Sequence, residues 1–324
     1  MVNEIRRDIF GREVIIATKR SKRPGASIRK RKRRKKPGHK CPFCPGNEKL
    51  TPPSLFVYPD KKNWKVRMFR NKFPVLYKKK FGQLTSGFYK KFTSFGLHHV
   101  LVETPKHGED YDQMKVDQIY LVLKTLKKHY EELMKKDGVK YVAIFKNKGE
   151  GGGESIHHTH LQIIASPLFP EVIAKEMEDS ERYFKKEGEC GHCLTIKKEI
   201  RSRKRVVDFN RNWICFAPYI SIWSFQLSFL SKRHFSDISG MKEEEMKDLA
   251  TIFHRVLKGI KKLFPKISYN MVYKNFPKSG FYHFRIDFYP RLVTHAGLEF
   301  FGLNANVVSP ENAAKQLRKS VISK

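Results

Sequence analysis

Four of the five cysteines fall into two C-x-x-C pairs, Cys41 with Cys44 in CPFC and Cys190 with Cys193 in CGHC. Two thiolates at this spacing grip one Zn²⁺ across a tight turn and supply half of a tetrahedral shell. A dithiol of this spacing also suits redox chemistry, but neither pair reads as opening a helix in a βαβ unit, which favours a metal. Cys215 lies in the apolar run NWICFAPY and reads as core. Each metal needs two more donors, and thirteen histidines are available.

A second reactive constellation is the stretch 147–162, N-K-G-E-G-G-G-E-S-I-H-H-T-H-L-Q. Successive glycines let a backbone approach a ligand closely and turn N–H groups toward an anion. The following T-H-L-Q-I-I-A alternates like a strand, and residues two apart on a strand share a face. His158, His160 and Gln162 would then line up together. A neutral imidazole is a competent nucleophile toward phosphorus when it is oriented and surrounded by donors. Asn147, Ser155, Gln162 and the glycine amides are suitable donors, which makes His160 the candidate nucleophile.

The elements that must position these groups occur twice. HHVLVETPKH (98–107) and FQLSFLSKRH (225–234) are both strand-like and end in a basic residue and a histidine. Helical periodicity follows each, predicting helices over 109–136 and 241–264. Tyr141–Asn147 and Tyr269–Asn275 then open as strands and end in Lys-Asn, 34 residues after His107 and 35 after His234. Each half thus reads C-x-x-C, strand, histidine, helix, strand, loop, histidine. This order selects Cys41, Cys44, His107 and His158 for one metal, and Cys190, Cys193, His234 and His283 for another. His98 and His99 are rivals to His107, and His157 to His158. Four protein donors fill each shell, so both zinc ions would be structural. In the second half H-F-R puts Arg285 at the nucleophile position, and an arginine cannot attack.

The predicted fold is α+β, with two tandem halves at 1–180 and 181–324, each an antiparallel sheet with a long packed helix. The net charge of +34 points to anionic partners, either nucleic acid or phosphate-bearing small molecules. The unbroken run Arg29–Lys36 lies in a segment, 25–40, whose like charges should resist packing. Nucleic acid is the less favoured partner, because no C₂H₂ finger spacing and no aromatic RNA-recognition signature occurs. No run of eighteen apolar residues is present, and the first residues lack the apolar stretch of a signal peptide, so a cytoplasmic location is expected.

F-K-N-K-G-x₅-S-x-x-H-x-H-x-Q resembles, without a gap, the motif of the galactose-1-phosphate uridylyltransferase family, a duplicated branch of the histidine-triad superfamily. The family's proline between the two histidines is Thr159 here. The resemblance implies ping-pong transfer of a uridylyl group from UDP-glucose to galactose 1-phosphate or another hexose 1-phosphate, through His160. Gln162 would hydrogen-bond the transferring phosphoryl group. Asn147, Gly153, Glu154 and Ser155 would line the phosphates, and R-S-K-R-P would add Arg20 and Arg23. Leu50 would wall the uridine, Asn71 and Lys72 would occupy the nucleoside-binding pair, and Glu299 in A-G-L-E-F would contact the hexose. Val293 and Ala305 stand where relatives carry Lys and Gln, which weakens the case for galactose. The second full Cys₂His₂ set looks more like nucleotidyl-sugar phosphorylases, whose acceptor is inorganic phosphate. Family sheets pair across the two halves or across a homodimer.

Overall fold

The computed structural model describes residues 3–9, 13–17, 41–77, 80–277, 279–294 and 297–322. Arg20, Arg23 and the basic run Arg29–Lys36 lie outside the described residues. The fold is α+β with antiparallel sheets. In chain order the strands and helices are β1 (Glu4–Arg7), β2 (Glu13–Ile16), β3 (Ser54–Tyr58), β4 (Val66–Arg70), β5 (Gln83–Ser86), β6 (Lys90–Thr93), β7 (Leu97–Val102), α1 (Val116–Met134), β8 (Tyr141–Lys148), β9 (His160–Ser166), α2 (Glu171–Glu187), α3 (Gly191–Ser202), β10 (Val206–Phe209), β11 (Trp213–Phe216), β12 (Leu227–Ser231), α4 (Glu243–Leu263), β13 (Tyr269–Lys274), β14 (Arg285–Pro290) and α5 (Pro310–Ile322).

The chain divides into two compact units. The first comprises Met1–Gly108, Glu131–Ile144 and Ser155–Phe169; the second comprises Glu109–Tyr130, Phe145–Glu154 and Pro170–Lys324. In the first, β2, β1, β6 and β5 form a small antiparallel sheet, with Ile5 opposite Phe92 and both buried with Leu76. A further antiparallel run places β3, β4, β7 and β9 side by side. β7, LHHVLV, is buried along almost its whole length, as expected of a strand covered on both faces. Its register sets Val102 opposite His160 and Val100 opposite Gln162. Trp64, Phe69, Val100 and Val102 pack with Phe43 of CPFC, so this core fixes the loop that carries the first cysteine pair.

In the second unit β10, β11, β12, β14 and β13 run antiparallel in that order. α4 packs on β10 and β11 and against α5. Its stripe Leu249, Ile252, Phe253, Val256, Leu257 and Ile260 is buried, each side chain contributing roughly 1.5–3 kcal/mol. Glu243, Glu244 and Glu245 stand in its first turn and Lys261 and Lys262 in its last, which complements the helix dipole. The Glu245 carboxylate also accepts from the Lys242 N–H at 2.7 Å. Among the described residues, no helix is long and apolar enough to cross a membrane.

The first long helix starts later than its periodicity suggests. Residues 111–114 form a turn and a bend instead, with the N–H groups of Gln113 and Met114 both bonded to the Asp110 carbonyl. The cause is Asp110 itself, a buried carboxylate that accepts from Lys146 Nζ at 2.8 Å and from the Tyr269 hydroxyl at 2.8 Å. Burial opposes its charge, but Lys146 and Lys148 outweigh burial and bring its pKa down to about 2. The second pair of cysteines also departs from expectation. Cys190 is the N-cap of α3 and Cys193 sits in its first turn, so this pair does open a helix, although one preceded by α2 rather than by a strand.

Candidate active site and metal centres

The first unit gathers Cys41, Cys44, His107 and His158, and the second gathers Cys190, Cys193, His234 and His283. In each cluster the four donor atoms lie within 4.8 Å of one another. His158 Nδ1 is 3.6 Å from both Cys41 Sγ and Cys44 Sγ, and His107 Nδ1 is 3.4 Å from Cys44 Sγ. In the second cluster His234 Nδ1 and His283 Nδ1 are each 3.5 Å from Cys193 Sγ. The tautomers fit a metal. His158 Nε2 lies 2.8 Å from the Thr104 carbonyl and His283 Nε2 lies 2.9 Å from the Ser231 carbonyl. A carbonyl only accepts, so each Nε2 carries the proton and each Nδ1 turns its lone pair to the sulfurs. Burial, followed by the charge of Cys41, pushes the Cys44 thiol up to about 11, an opposition that a divalent cation removes. Two sulfurs and two imidazoles suit Zn²⁺.

Of the rival histidines, His157 is exposed, with its ring 5.9 Å from that of His107, and it is not in the cluster. His98 and His99 are buried on β7, outside the cluster. Cys215 is fully buried, as its apolar surroundings suggested, and burial pushes its thiol well up.

His160 opens β9, two residues beyond the metal-cluster histidine. Its Nδ1 lies 2.7 Å from the His158 carbonyl and must be the protonated nitrogen. The lone pair is then on Nε2. Phe43 packs edge-on against the His160 ring at 5.2 Å between centroids, a neighbour that sequence reasoning missed although it lies within the CPFC motif. Thr159 donates to the buried Glu103 carboxylate at 2.9 Å, so the residue that replaces the family's proline satisfies a charge that would otherwise lack this donor. Gln162 is buried on the same face of β9 as His160. Its Oε1 lies 3.1 Å from His98 Nε2, and Asn71 Nδ2 lies 3.0 Å from that same nitrogen. Ser155 is half-buried in the bend before these histidines, Leu50 is exposed in the 3₁₀ turn after CPFC, and Lys72 is exposed.

Asn147, Gly153 and Glu154 belong to the second unit, on the glycine loop that follows β8. Asn270 braces this loop by donating from one amide nitrogen to Asn147 Oδ1 and to the Gly152 carbonyl, both at 2.8 Å. Glu154 turns its carboxylate inward, accepting from the Gly149 N–H at 2.8 Å, with Lys148 Nζ 3.8 Å away. Glu299 lies elsewhere in the second unit, in the 3₁₀ turn Leu298–Phe301.

Arg285, which stands in H-F-R of the second unit where His160 stands in H-T-H, is held in ion pairs. Arg285 bonds Glu176 of α2 at 2.9 Å and Asp287 at 3.2 Å. Glu176 also receives Lys274 and the Tyr282 hydroxyl, each at 2.9 Å. Asp287 is held as well by Ser228 at 2.6 Å and Tyr289 at 3.1 Å. Burial disfavours the charge on Glu176, but Arg285 and Lys274 reverse this and lower its pKa.

The N-terminal domain of galactose-1-phosphate uridyl transferase matches residues 3–170, and the C-terminal domain of that enzyme matches residues 176–321. ADP-glucose phosphorylase of Arabidopsis thaliana is 29% identical over 98% of this chain and 92% of its own. Galactose-1-phosphate uridylyltransferase of Haemophilus influenzae is 28% identical over 94% and 90%. Among solved structures, a uridylyltransferase superposes with a TM-score of 0.81 at 27% identity, covering 98% of both chains. The Arabidopsis thaliana ADP-glucose phosphorylase with bound ADP-glucose superposes with a TM-score of 0.77 at 26% identity, covering 98% of this chain and 99% of the other. With both domains matched in order along nearly its whole length, the chain belongs to the galactose-1-phosphate uridyl transferase family.

Proposed function

We propose that the chain moves a uridylyl group from UDP-glucose to a hexose 1-phosphate, galactose 1-phosphate being the acceptor that the family favours. One observation carries the reading. The His158 carbonyl accepts a hydrogen bond from His160 Nδ1–H, which leaves the lone pair for attack on Nε2, on a strand that starts beside a Cys₂His₂ cluster. Nε2 attacks the α-phosphorus, an N–P bond forms, and the bond to the bridging oxygen breaks to release glucose 1-phosphate. A phosphate oxygen of the second sugar phosphate then attacks the same phosphorus and returns the electron pair to Nε2. Gln162, Asn147, Ser155 and the amides around Gly153 donate to the phosphoryl oxygens as charge shifts. Arg20, Arg23, Leu50, Asn71, Lys72, Glu154 and Glu299 complete the proposed substrate set. Cys41, Cys44, His107 and His158 would hold one zinc, and Cys190, Cys193, His234 and His283 the other. With four protein donors each, both ions supply rigidity and not an activated water.

The test is incubation with UDP-glucose radiolabelled in the α-phosphate. An acid-labile, alkali-stable protein adduct is expected, and the His160→Ala protein should lack it. An unlabelled wild-type protein, or equal labelling of His160→Ala, would overturn the reading.

A second reading has inorganic phosphate as the acceptor, giving a nucleotidyl-sugar phosphorylase. It is favoured by the complete second Cys₂His₂ cluster and by the likeness to ADP-glucose phosphorylase. Turnover of UDP-glucose and of ADP-glucose, with phosphate or with galactose 1-phosphate, separates the two.

A further inference from the structure

Phe43 stands between the two cysteines of CPFC, and its ring lies against both histidines of H-T-H. It meets the His160 ring at 5.2 Å between centroids and 77° between planes, and the His158 ring at 6.1 Å and 73°. Only 5% of it is exposed, and it is held in turn by Phe69, at 5.4 Å, within the cluster that includes Trp64, Val100 and Val102. Val102 stands opposite His160 in the pairing of β7 with β9, so the strand that seats the nucleophile and the loop that carries two metal donors share this core. The β9 backbone fixes where the His160 side chain starts but not how its ring is tilted, because the outer torsion of a histidine is broad. The hydrogen bond from Nδ1 to the His158 carbonyl, at 2.7 Å, holds one corner of the ring. A ring tied at one corner still swings about that bond.

We infer that Phe43 is a positioning residue that fixes the tilt of the His160 imidazole, so that the Nε2 lone pair is aimed before a nucleotide arrives. The inference rests on the proposed function. Attack on phosphorus needs the lone pair in line with the bond that breaks, and a ring that swings spends little time on that line. An edge-to-face aromatic contact has a preferred angle and separation, which makes the Phe43 ring a second point of hold. A loose side chain could not serve, and the burial of Phe43 among Phe69, Trp64 and Val102 supplies the stiffness. Its place in the chain adds a coupling. With Cys41 and Cys44 on either side, whatever orders the cysteine loop also orders the ring that backs the nucleophile.

The experiment compares the wild-type protein with Phe43→Leu, which keeps an apolar side chain in the core and removes the ring. We expect single-turnover labelling at saturating UDP-glucose to slow by ~10- to 100-fold, the scale of a misaimed reacting group. The UDP-glucose concentration that gives half the maximal rate should change by less than about threefold, because binding of the nucleotide sugar is not what the ring supplies. Zinc content should stay the same. In protein isotopically enriched in histidine and free of nucleotide, the His160 ring signal, assigned with His160→Gln, should lose the ring-current displacement that Phe43 imposes and should broaden. An unchanged labelling rate or an unmoved His160 signal would overturn the inference. So would a raised half-saturation at unchanged maximal rate, which makes Phe43 a wall of the substrate site, or a slowing that comes with lost zinc, which makes it only a part of the cysteine loop. If Phe43→Leu does not fold, Phe43→Met, unbranched and able to fill an irregular space, is read in the same way. A wild-type protein that forms no adduct overturns the proposed function, while the NMR comparison, made without nucleotide, still decides whether Phe43 sets the ring.

Discussion

Gly152 offers the sharpest test of how the glycine loop is built. A Cβ placed there would lie 2.4 Å from the Lys148 carbonyl oxygen and 2.6 Å from the Tyr269 carbonyl oxygen. Both obstacles are backbone atoms of strands, so neither can rotate away as a side chain would. Gly152→Ala must displace the loop or part the strand ends, and overpacking of this kind costs about 2–3 kcal/mol. For a domain of this size that lowers Tm by roughly 5–10 °C. The displacement has a second effect, because the Asn270 amide that holds the Gly152 carbonyl also holds Asn147. With Asn147 in its proposed role of donor to the phosphoryl group, adduct formation should slow by more than about tenfold even at 20 °C. Gly153→Ala is the control. Its φ of +78° strains an L-residue, but nothing stands within 4 Å of the added carbon, so the cost should be about 1 kcal/mol. Thermal unfolding and single-turnover labelling of the two variants decide the matter. A Gly152→Ala protein as stable and as fast as Gly153→Ala would refute the steric reasoning.

Elemental analysis should find about two zinc per chain; Cys41→Ser should lose one and also the adduct, whereas Cys190→Ser should lose the other, lower Tm and keep the adduct at 20 °C. Arg285→Met should destabilise the protein by about 3 kcal/mol, because Glu176 and Asp287 lose a buried cation, while His160 still becomes labelled. Loss of labelling in the folded variant would show that the second half takes part in the chemistry. Asp110 should dominate one acid step. Its folded pKa of about 2 lies below the ordinary 3.8, so its stabilisation is complete above roughly pH 4 and is lost as pH falls through about 2. The linked energy is on the order of 2 kcal/mol, and it should be missing from the acid-unfolding curve of Asp110→Asn.

Both Cys₂His₂ clusters were legible in the sequence because the repeated order of motifs supplied a register, and a register ranks histidines that composition cannot. Apolar periodicity placed the start of α4 two residues early, at 241 against 243, since an unbroken stripe from Met246 to Ile260 leaves little freedom. It placed the start of α1 too early, because periodicity cannot report that a carboxylate at 110 finds a lysine 36 residues away. α2 and α3 were not anticipated, although Glu171 after Pro170 begins the first and Cys190 caps the second. α5 carried a plain signal in Ser309-Pro310, a capping hydroxyl followed by a proline suited to the first turn. His98 was weighed only as a metal ligand. Its partners, Gln162 and Val75, are brought to it by strand register and a loop, neither of which one-dimensional spacing encodes.

On the proposed function His160 reacts and Arg285 does not, and the charged cluster around Arg285 would make that difference hard to undo. Restoring a histidine there by one substitution would leave Glu176 and Asp287, which its guanidinium now balances, short of positive charge, and the intermediate would be less stable than either endpoint. A second histidine centre at this position would need several coordinated replacements on α2, β13 and β14. The charges around Arg285 depend on one another, so the energetic cost of changing them one at a time is enough to hold this position as it is.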